Sequence, residues 1–228
     1  MTFENHHNSV KDKNSNIEKN SSEFELEKKR DLRKFNPEKT GTLEAEAWQA
    51  YYNHKFFKLS LVLVKSLRAL YLFGPVESLQ AGYYVADATI DFRKNKGQEN
   101  KERVKQKLEK FFKVLSDHSL RSFDYRKAAE LEVQWWFVDR YPTQHEISRE
   151  EAIANAAASI YNIDPSLLNE YANYRAQAMI LQDEAEAEHK EADWYQIELL
   201  LKKCYHSLFE ALNKDNENNG QLQLNQEF

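Results

Sequence analysis

Apolar residues recur every three or four positions along most of the chain, a spacing that places them on one face of an α-helix. The pattern predicts about seven helices, with approximate bounds 42–73, 75–93, 99–116, 123–141, 148–161, 164–183 and 191–214. No heptad repeat persists from one helix to the next, so a coiled coil is not expected. The predicted fold class is therefore all-α, a single-domain helical bundle of about seven helices.

Residues at the predicted helix ends support these bounds. Thr42 is a suitable N-cap for the first helix, and Pro75 both ends that helix and opens the next one. Ser148 and Glu151 have the spacing of a capping box. Asp164 precedes a proline, which is a common way for a helix to start.

Both ends of the chain are polar. Residues 1–40 contain 9 basic and 8 acidic side chains and few large apolar ones, too few to offset the entropy lost on folding. We expect a disordered polar tail over 1–40, an all-helical domain over 41–214 and a polar, frayed C-terminal tail over 215–228.

Composition excludes several classes of protein. The chain has 228 residues and only 5 glycines, none of them spaced as in a phosphate-binding loop. Its single cysteine excludes an internal disulfide and suits a cytoplasmic location. With a net charge of −5, nucleic acid is not an expected partner. The N-terminus lacks an apolar signal core, and the most apolar stretch, 56–73, contains three cations, so no integral membrane segment is expected.

Two carboxylates interrupt an apolar face of the predicted helix 123–141. Glu132 and Asp139 lie within about 20° of each other on a helical wheel, flanked by two tryptophans. Arg175, in the predicted helix 164–183, is a potential partner for both. Either these groups line a pocket for a small ligand or they form a structural ion pair, and both alternatives stay open. The ligand-binding hypothesis assigns six residues: Glu132, Asp139, Arg175, Trp135, Trp136 and Tyr171.

Histidines and carboxylates do not form a recognisable metal motif. Glu186 and His189 have the Glu-x-x-His spacing of di-iron bundles, but such a centre needs a second copy of the motif and two further glutamates. His145 and Glu146 begin like a zinc-protease helix, yet Arg149 stands where the second histidine is required. We therefore expect no metal and no cofactor, and we assign no catalytic residue.

Three segments resemble a family of uncharacterised bacterial all-helical proteins, over about residues 43–212. They are Glu46-Ala-Trp-Gln-Ala-Tyr-Tyr-Asn-His54, Leu72-Phe-Gly74 and Ala128-Ala-Glu-Leu-Glu-Val-Gln-Trp-Trp-Phe-Val-Asp-Arg140. The resemblance implies no activity, cofactor or catalytic residue. It implies a bacterial, cytoplasmic, single-domain protein.

Aromatic content and charge distribution favour a binding function. The chain has 4 Trp, 12 Tyr and 13 Phe, and several form adjacent pairs whose members point about 100° apart on a helix. Four cations share the solvent side of the predicted helix 99–116: Arg103, Lys107, Lys110 and Lys113. We predict a non-enzymatic helical protein that binds a protein partner or self-associates. The alternative is a small-molecule- or cofactor-binding protein, or an enzyme, that uses the six residues above. Peripheral membrane contact through the first helix is a third hypothesis.

Overall fold

The computed structural model describes residues 29–94 and 100–224, and within these ranges it contains eight α-helices and no β-strand. In chain order they are α1 Pro37–Tyr52, α2 Phe56–Tyr71, α3 Pro75–Lys94, α4 Lys101–His118, α5 Tyr125–Arg140, α6 Arg149–Tyr161, α7 Asn169–Ala187 and α8 Trp194–Leu224. Short 3₁₀ turns, Pro142–Gln144 and Pro165–Leu168, precede α6 and α7. The predicted all-α bundle is confirmed.

The predicted helix 42–73 is in fact two helices, α1 and α2. Three residues separate them, and the middle one, His54, has a left-handed backbone with φ of 55°. No glycine or proline marks this break, so the sequence pattern does not reveal it. The N-cap also differs, because the side chain of Asn36 accepts a hydrogen bond from the backbone N–H of Lys39. Thr42 lies inside α1 and donates to Glu198 instead.

Other predicted helix ends are confirmed. The Ser148 hydroxyl accepts the backbone N–H of Glu151 at 3.0 Å and caps α6. The Asp164 carboxylate accepts the N–H of Ser166 at 2.8 Å and opens the 3₁₀ turn before α7. Pro75 is the first residue of α3, as expected for a residue that has no N–H to leave unpaired.

The helices form a closed circuit of contacts. Each helix packs against the next in the chain, and α8 returns to pack against α1. The approach of α1 to α8 is close at Gly41, where a Cβ atom would lie 2.7 Å from the Cα of Lys202. Bulky apolar residues fill the interior: Leu108, Phe112, Leu115, Phe137, Leu201 and Leu208.

The chain joins the bundle earlier than residue 41. Leu32 and Phe35 are buried in the core, and the buried Arg33 donates hydrogen bonds to the carbonyl of Tyr161 and to the side chain of Asp215. The predicted boundary at residue 40 is therefore too late, because two apolar side chains and one arginine before it have partners in the fold. Residues 1–28 of the predicted tail lie outside the described residues.

The last helix also runs further than predicted. Helix α8 continues past residue 214 to Leu224, and Asp215 within it pairs with Arg33 at 2.6 Å. Residues 225–228 of the predicted C-terminal tail lie outside the described residues.

Within the described ranges, no single helix is both long enough and apolar enough to cross a membrane. Helices α2 and α3 meet those criteria only when taken together, and their axes are bent by 115°.

Candidate functional site

A pocket of about 90 Å³ lies among α2, α5, α6, α7 and α8, and it brings together several of the predicted residues. We call it the Arg175 pocket. Its polar and aromatic wall consists of Tyr71, Glu132, Trp135, Tyr161, Tyr171, Arg175 and Tyr205. Leucine, isoleucine and alanine side chains complete the lining. Four of the six predicted ligand-binding residues, Glu132, Trp135, Tyr171 and Arg175, therefore share one cavity.

Arg175 is held by a carboxylate that the sequence hypothesis did not name. Its guanidinium donates two hydrogen bonds to Glu44 of α1, at 2.5 and 3.1 Å, and the Tyr205 hydroxyl donates to the same carboxylate. The guanidinium carbon also lies 5.7 Å from the ring centroids of both Trp48 and Trp135. Burial disfavours the charged form of Arg175, but the charge and hydrogen bonds of Glu44, together with Tyr171 and Tyr205, outweigh burial and raise the arginine pKa. The guanidinium and the carboxylate of this pair thus satisfy each other through two hydrogen bonds.

Glu132 lies beside this pair without a cation of its own. One carboxylate oxygen accepts the indole N–H of Trp136 at 2.9 Å, and Arg175 is engaged by Glu44. Burial raises the pKa of Glu132, while the two neighbouring indoles and the charge of Arg175 act in the opposite direction. The carboxyl group therefore lies in a site that disfavours its ionised form.

Asp139 does not line the pocket, although it lies on the same face of α5. Its carboxylate pairs with Arg149 of α6 at 2.8 Å, and Arg149 also contacts Asp183 of α7 at 3.2 Å. Burial raises the pKa of Asp139 to about 6 despite the adjacent Arg149, and Asp183 adds to the rise. Arg175 thus pairs with Glu44 and Asp139 pairs with Arg149, so Arg175 is not the ion-pair partner of either predicted carboxylate.

The predicted aromatic residues also divide. Trp135 and Tyr171 line the pocket, whereas Trp136 packs against Phe92 with ring centroids 5.2 Å apart and reaches the pocket only through its hydrogen bond to Glu132. Burial raises the pKa of every pocket tyrosine, so all four stay neutral near pH 7.

Sequence reasoning missed Glu44 and three tyrosines of the wall. A signal for Glu44 exists, because it precedes Trp48 by four residues and so lies on the apolar stripe of α1. The tyrosines at 71, 161 and 205 come from three different helices, and no spacing within one helix relates them to Glu132.

No group of three or more His, Cys, Asp or Glu side chains in the described ranges is placed to hold a metal ion. The Glu-x-x-His segment does not keep its helical spacing, because α7 ends at Ala187 and His189 has a φ of 55°. Cys204 is fully buried in the core of α8, and burial raises the pKa of its thiol.

A second candidate region is an exposed apolar surface on α2 and α3, which we call the α2–α3 face. Seven large apolar side chains there expose between 50% and 81% of their area: Phe56, Phe57, Leu61, Val76, Leu79, Tyr83 and Ile90. On α3 these residues follow the i, i+3, i+7 spacing of one helix face. The core of the bundle covers the other faces of both helices.

The α2–α3 face also carries cations, and the α2 helix that holds them has no acidic residue. Lys58, Lys65 and Arg68 are exposed on α2, Lys55 precedes it, and the helix contains no Asp or Glu. The predicted basic face of α4 differs, because its central cation, Lys107, bonds to Asp87 of α3 at 2.7 Å and also pairs with Asp91.

Arg103 and Lys113, at the two ends of the predicted α4 face, also have acidic partners, Asp91 at 2.8 Å and Asp117 at 2.9 Å. Three of the four cations of the predicted α4 face thus have acidic partners, whereas α2 contains no acidic residue to pair with its own cations.

Comparison of the chain with protein-family models, curated proteins and solved structures finds no match in any of the three sets. The bacterial origin and cytoplasmic location that the sequence resemblance implies stay predictions.

Proposed function

We propose that the protein acts by binding another protein through the α2–α3 face, and that the partner contributes an acidic amphipathic segment. The observation that supports this is the set of seven exposed apolar side chains on two adjacent helices. Side chains of this size, half exposed or more, present about 100 Å² each, so the face offers on the order of 700 Å². That area exceeds the few hundred Å² usual for a monomer and approaches the roughly 800 Å² per partner of a standard interface.

The two stripes are neighbours in space. A Cβ atom on Gly82 of α3 would lie 3.4 Å from the side chain of Val64 on α2, so the helices touch there. Val64 shares its side of α2 with Phe57 and Leu61 at i, i+4 and i+7, and Tyr83 directly follows Gly82. The exposed residues therefore belong to two helices that contact each other directly.

Charge selects among the possible occupants of this face. An isologous dimer would bring the α2 cations of both copies into one interface, and α2 has no acidic side chain to compensate them, which is unfavourable. An anionic bilayer surface would also attract these cations, and the vesicle measurement below distinguishes it from a protein partner. An acidic amphipathic helix complements both the apolar residues and the cations of the face, because it places leucines on the apolar residues and carboxylates on the lysines and Arg68.

The test uses a defined probe, a labelled helical peptide of about 18 residues with leucines on one face and glutamates on the other. A matched peptide carries lysines in place of the glutamates. We expect fluorescence anisotropy to show that only the acidic peptide binds, with an affinity that falls as salt rises. Tyr83→Ser should weaken binding about tenfold, as for an aromatic interface residue. Tyr195→Ser is the matched control, because Tyr195 is a 72% exposed tyrosine on α8, and it should leave binding unchanged.

Three results would overturn the proposal. Equal binding of the acidic and basic peptides would show that charge does not select the partner. A dimer in sedimentation velocity that Tyr83→Ser dissociates would identify a second copy as the occupant. Binding to phosphatidylglycerol vesicles without binding to the acidic peptide would identify a membrane surface instead.

A further inference from the structure

The Arg175 pocket has an uneven charge balance. Glu44 and Arg175 satisfy each other through two hydrogen bonds, and their side chains are only 14% and 13% exposed. Glu132 adds a second carboxylate, and in the described part of the chain its hydrogen bonds come from the uncharged indoles of Trp135 and Trp136. With Glu132 ionised, the cluster carries a net charge of about −1 in a site of low polarity, which is costly unless a cation compensates it.

The wall of the pocket suits an organic cation. Four tyrosine rings and the indole of Trp135 surround the space next to Glu132. Aromatic faces attract ammonium groups through the ring quadrupole, and several rings around one cavity strengthen the attraction. Tyrosine hydroxyl oxygens can also accept hydrogen bonds from an ammonium N–H. The charge of Glu132 and the aromatic lining of the pocket therefore both favour an organic cation.

Other ligand classes fit less well. A small anion would meet the two carboxylates, and the guanidinium that would attract it is already engaged by Glu44. A divalent metal prefers six or more oxygen ligands, and the described residues do not assemble such a set. The volume of about 90 Å³ corresponds to roughly three water molecules at about 30 Å³ each.

We infer that the Arg175 pocket binds a small organic cation, a primary alkylammonium of about three non-hydrogen atoms, with Glu132 as its counter-ion and the tyrosine rings as its walls. The inference does not depend on the α2–α3 face, because the pocket and the face share none of their defining residues.

The test is saturation-transfer NMR with ethylammonium chloride as the probe, with sodium acetate and potassium chloride at the same ionic strength as controls. We expect transfer to ethylammonium and none to acetate. Glu132→Gln keeps the shape of the side chain and an oxygen for the Trp136 indole but removes the charge, so it should weaken binding about tenfold or more. Glu130→Gln is the matched control, because Glu130 lies on the same helix and is exposed.

A second variant keeps the inference testable if Glu132→Gln alters the fold. Ala157→Val places extra volume in the pocket without changing any charge, so it should also reduce ethylammonium binding, while near-ultraviolet circular dichroism reports on the fold. Tyr83→Ser should leave ethylammonium binding unchanged, which separates this test from that of the α2–α3 face.

Transfer to acetate as strong as to ethylammonium would overturn the inference, and so would equal effects of Glu132→Gln and Glu130→Gln. Absence of transfer to ethylammonium would also overturn it, since the pocket would then hold water only.

Discussion

The Arg175 pocket and the α2–α3 face both combine aromatic rings with charged groups, but they place them in opposite relations to water. In the pocket the guanidinium of Arg175 is buried, paired with Glu44 and close to two tryptophan rings. On the face Phe57 and Tyr83 project into solvent, and the nearby α2 cations lie on a helix without acidic residues.

This difference separates residues that stabilise the fold from residues that are available for binding. A buried ion pair fixes the position of the helices that carry it, and loss of one partner leaves a charge without compensation. An exposed apolar side chain contributes little to folding, so its retention on the surface calls for another reason. Substitutions in the pocket should therefore change stability most, and substitutions on the α2–α3 face should change binding most.

The largest effect is expected in the pocket. Arg175→Met leaves Glu44 as a buried carboxylate without its cation and should lower the free energy of unfolding by about 3–5 kcal/mol. Replacement of both partners by apolar residues should recover most of that loss. Urea denaturation measures both variants. Lys127→Met is the control, since the ion pair of Lys127 with Glu130 is more than half exposed. If Arg175→Met lowered the free energy of unfolding no more than the control does, the buried ion pair would not be a stabilising feature of the pocket.

The pH dependence of stability tests the neighbouring Asp139 group. Its pKa in the folded state is about 6, against a reference value of 3.8, so the folded protein binds this proton more tightly than the unfolded chain does. Stability from this group is therefore present at low pH and is lost as pH rises from about 4 to about 6, by at most about 3 kcal/mol.

Asp139→Asn should remove this loss. The free energy of unfolding of the variant relative to the natural chain should rise between pH 4 and pH 7, as measured by urea titrations at both values. The charged or titratable groups that act on Asp139 or interact with it are Tyr52, Arg140, Arg149, Arg175 and Asp183. If the difference in free energy of unfolding between Asp139→Asn and the natural protein did not change with pH, it would contradict the raised pKa of Asp139.

Glycine substitutions compare the helix contacts beneath the two regions. Gly41→Ala should lower the free energy of unfolding by about 1–3 kcal/mol, because the new methyl group would overlap the backbone of α8 at Lys202. Gly82→Ala is the matched control at the α2–α3 crossing, where the methyl group would touch Val64 at 3.4 Å. In a helix interior that change should stabilise by about 0.5–1 kcal/mol. Thermal unfolding of both variants distinguishes the two contacts, and equal effects would show that the approach at Gly41 is not close.

The smallest effect on stability is expected on the exposed face. Phe57→Ser should change the free energy of unfolding by less than about 0.5 kcal/mol, as for most surface substitutions. A truncation of the buried Val62 on the same helix, Val62→Ala, should cost about 1–3 kcal/mol and serves as the comparison. If Phe57→Ser destabilised the fold as much as Val62→Ala, the side chain would have a packing role.

Local sequence signals predicted the fold class and most helix ends, because periodicity, Pro75 and the Ser148 cap act within a few residues. The break at His54 was missed, since a left-handed backbone at a non-glycine residue has no strong local signal. The candidate site was predicted in part, because Glu132, Trp135, Tyr171 and Arg175 stand out on apolar helix faces.

The ion-pair partner of Arg175 could not be predicted from local sequence patterns. Glu44 is 131 residues away in the chain, and only the return of α8 to α1 brings its helix beside α7 and α8. Several carboxylates were plausible partners by charge alone, so helix packing had to decide among them.

The contacts of Arg33 have a consequence for the order of events during synthesis. This side chain bonds to Tyr161 and to Asp215 and Asn216, the last two being 182 and 183 positions later in the chain. While the ribosome is still making α8, the acceptors that Arg33 uses on that helix, at Leu212, Asp215 and Asn216, are not yet all in place. We therefore expect nascent chains halted before residue 215 to be cleaved near residue 33 by a protease that leaves full-length chains intact, with docking of the first segment as the final step of folding.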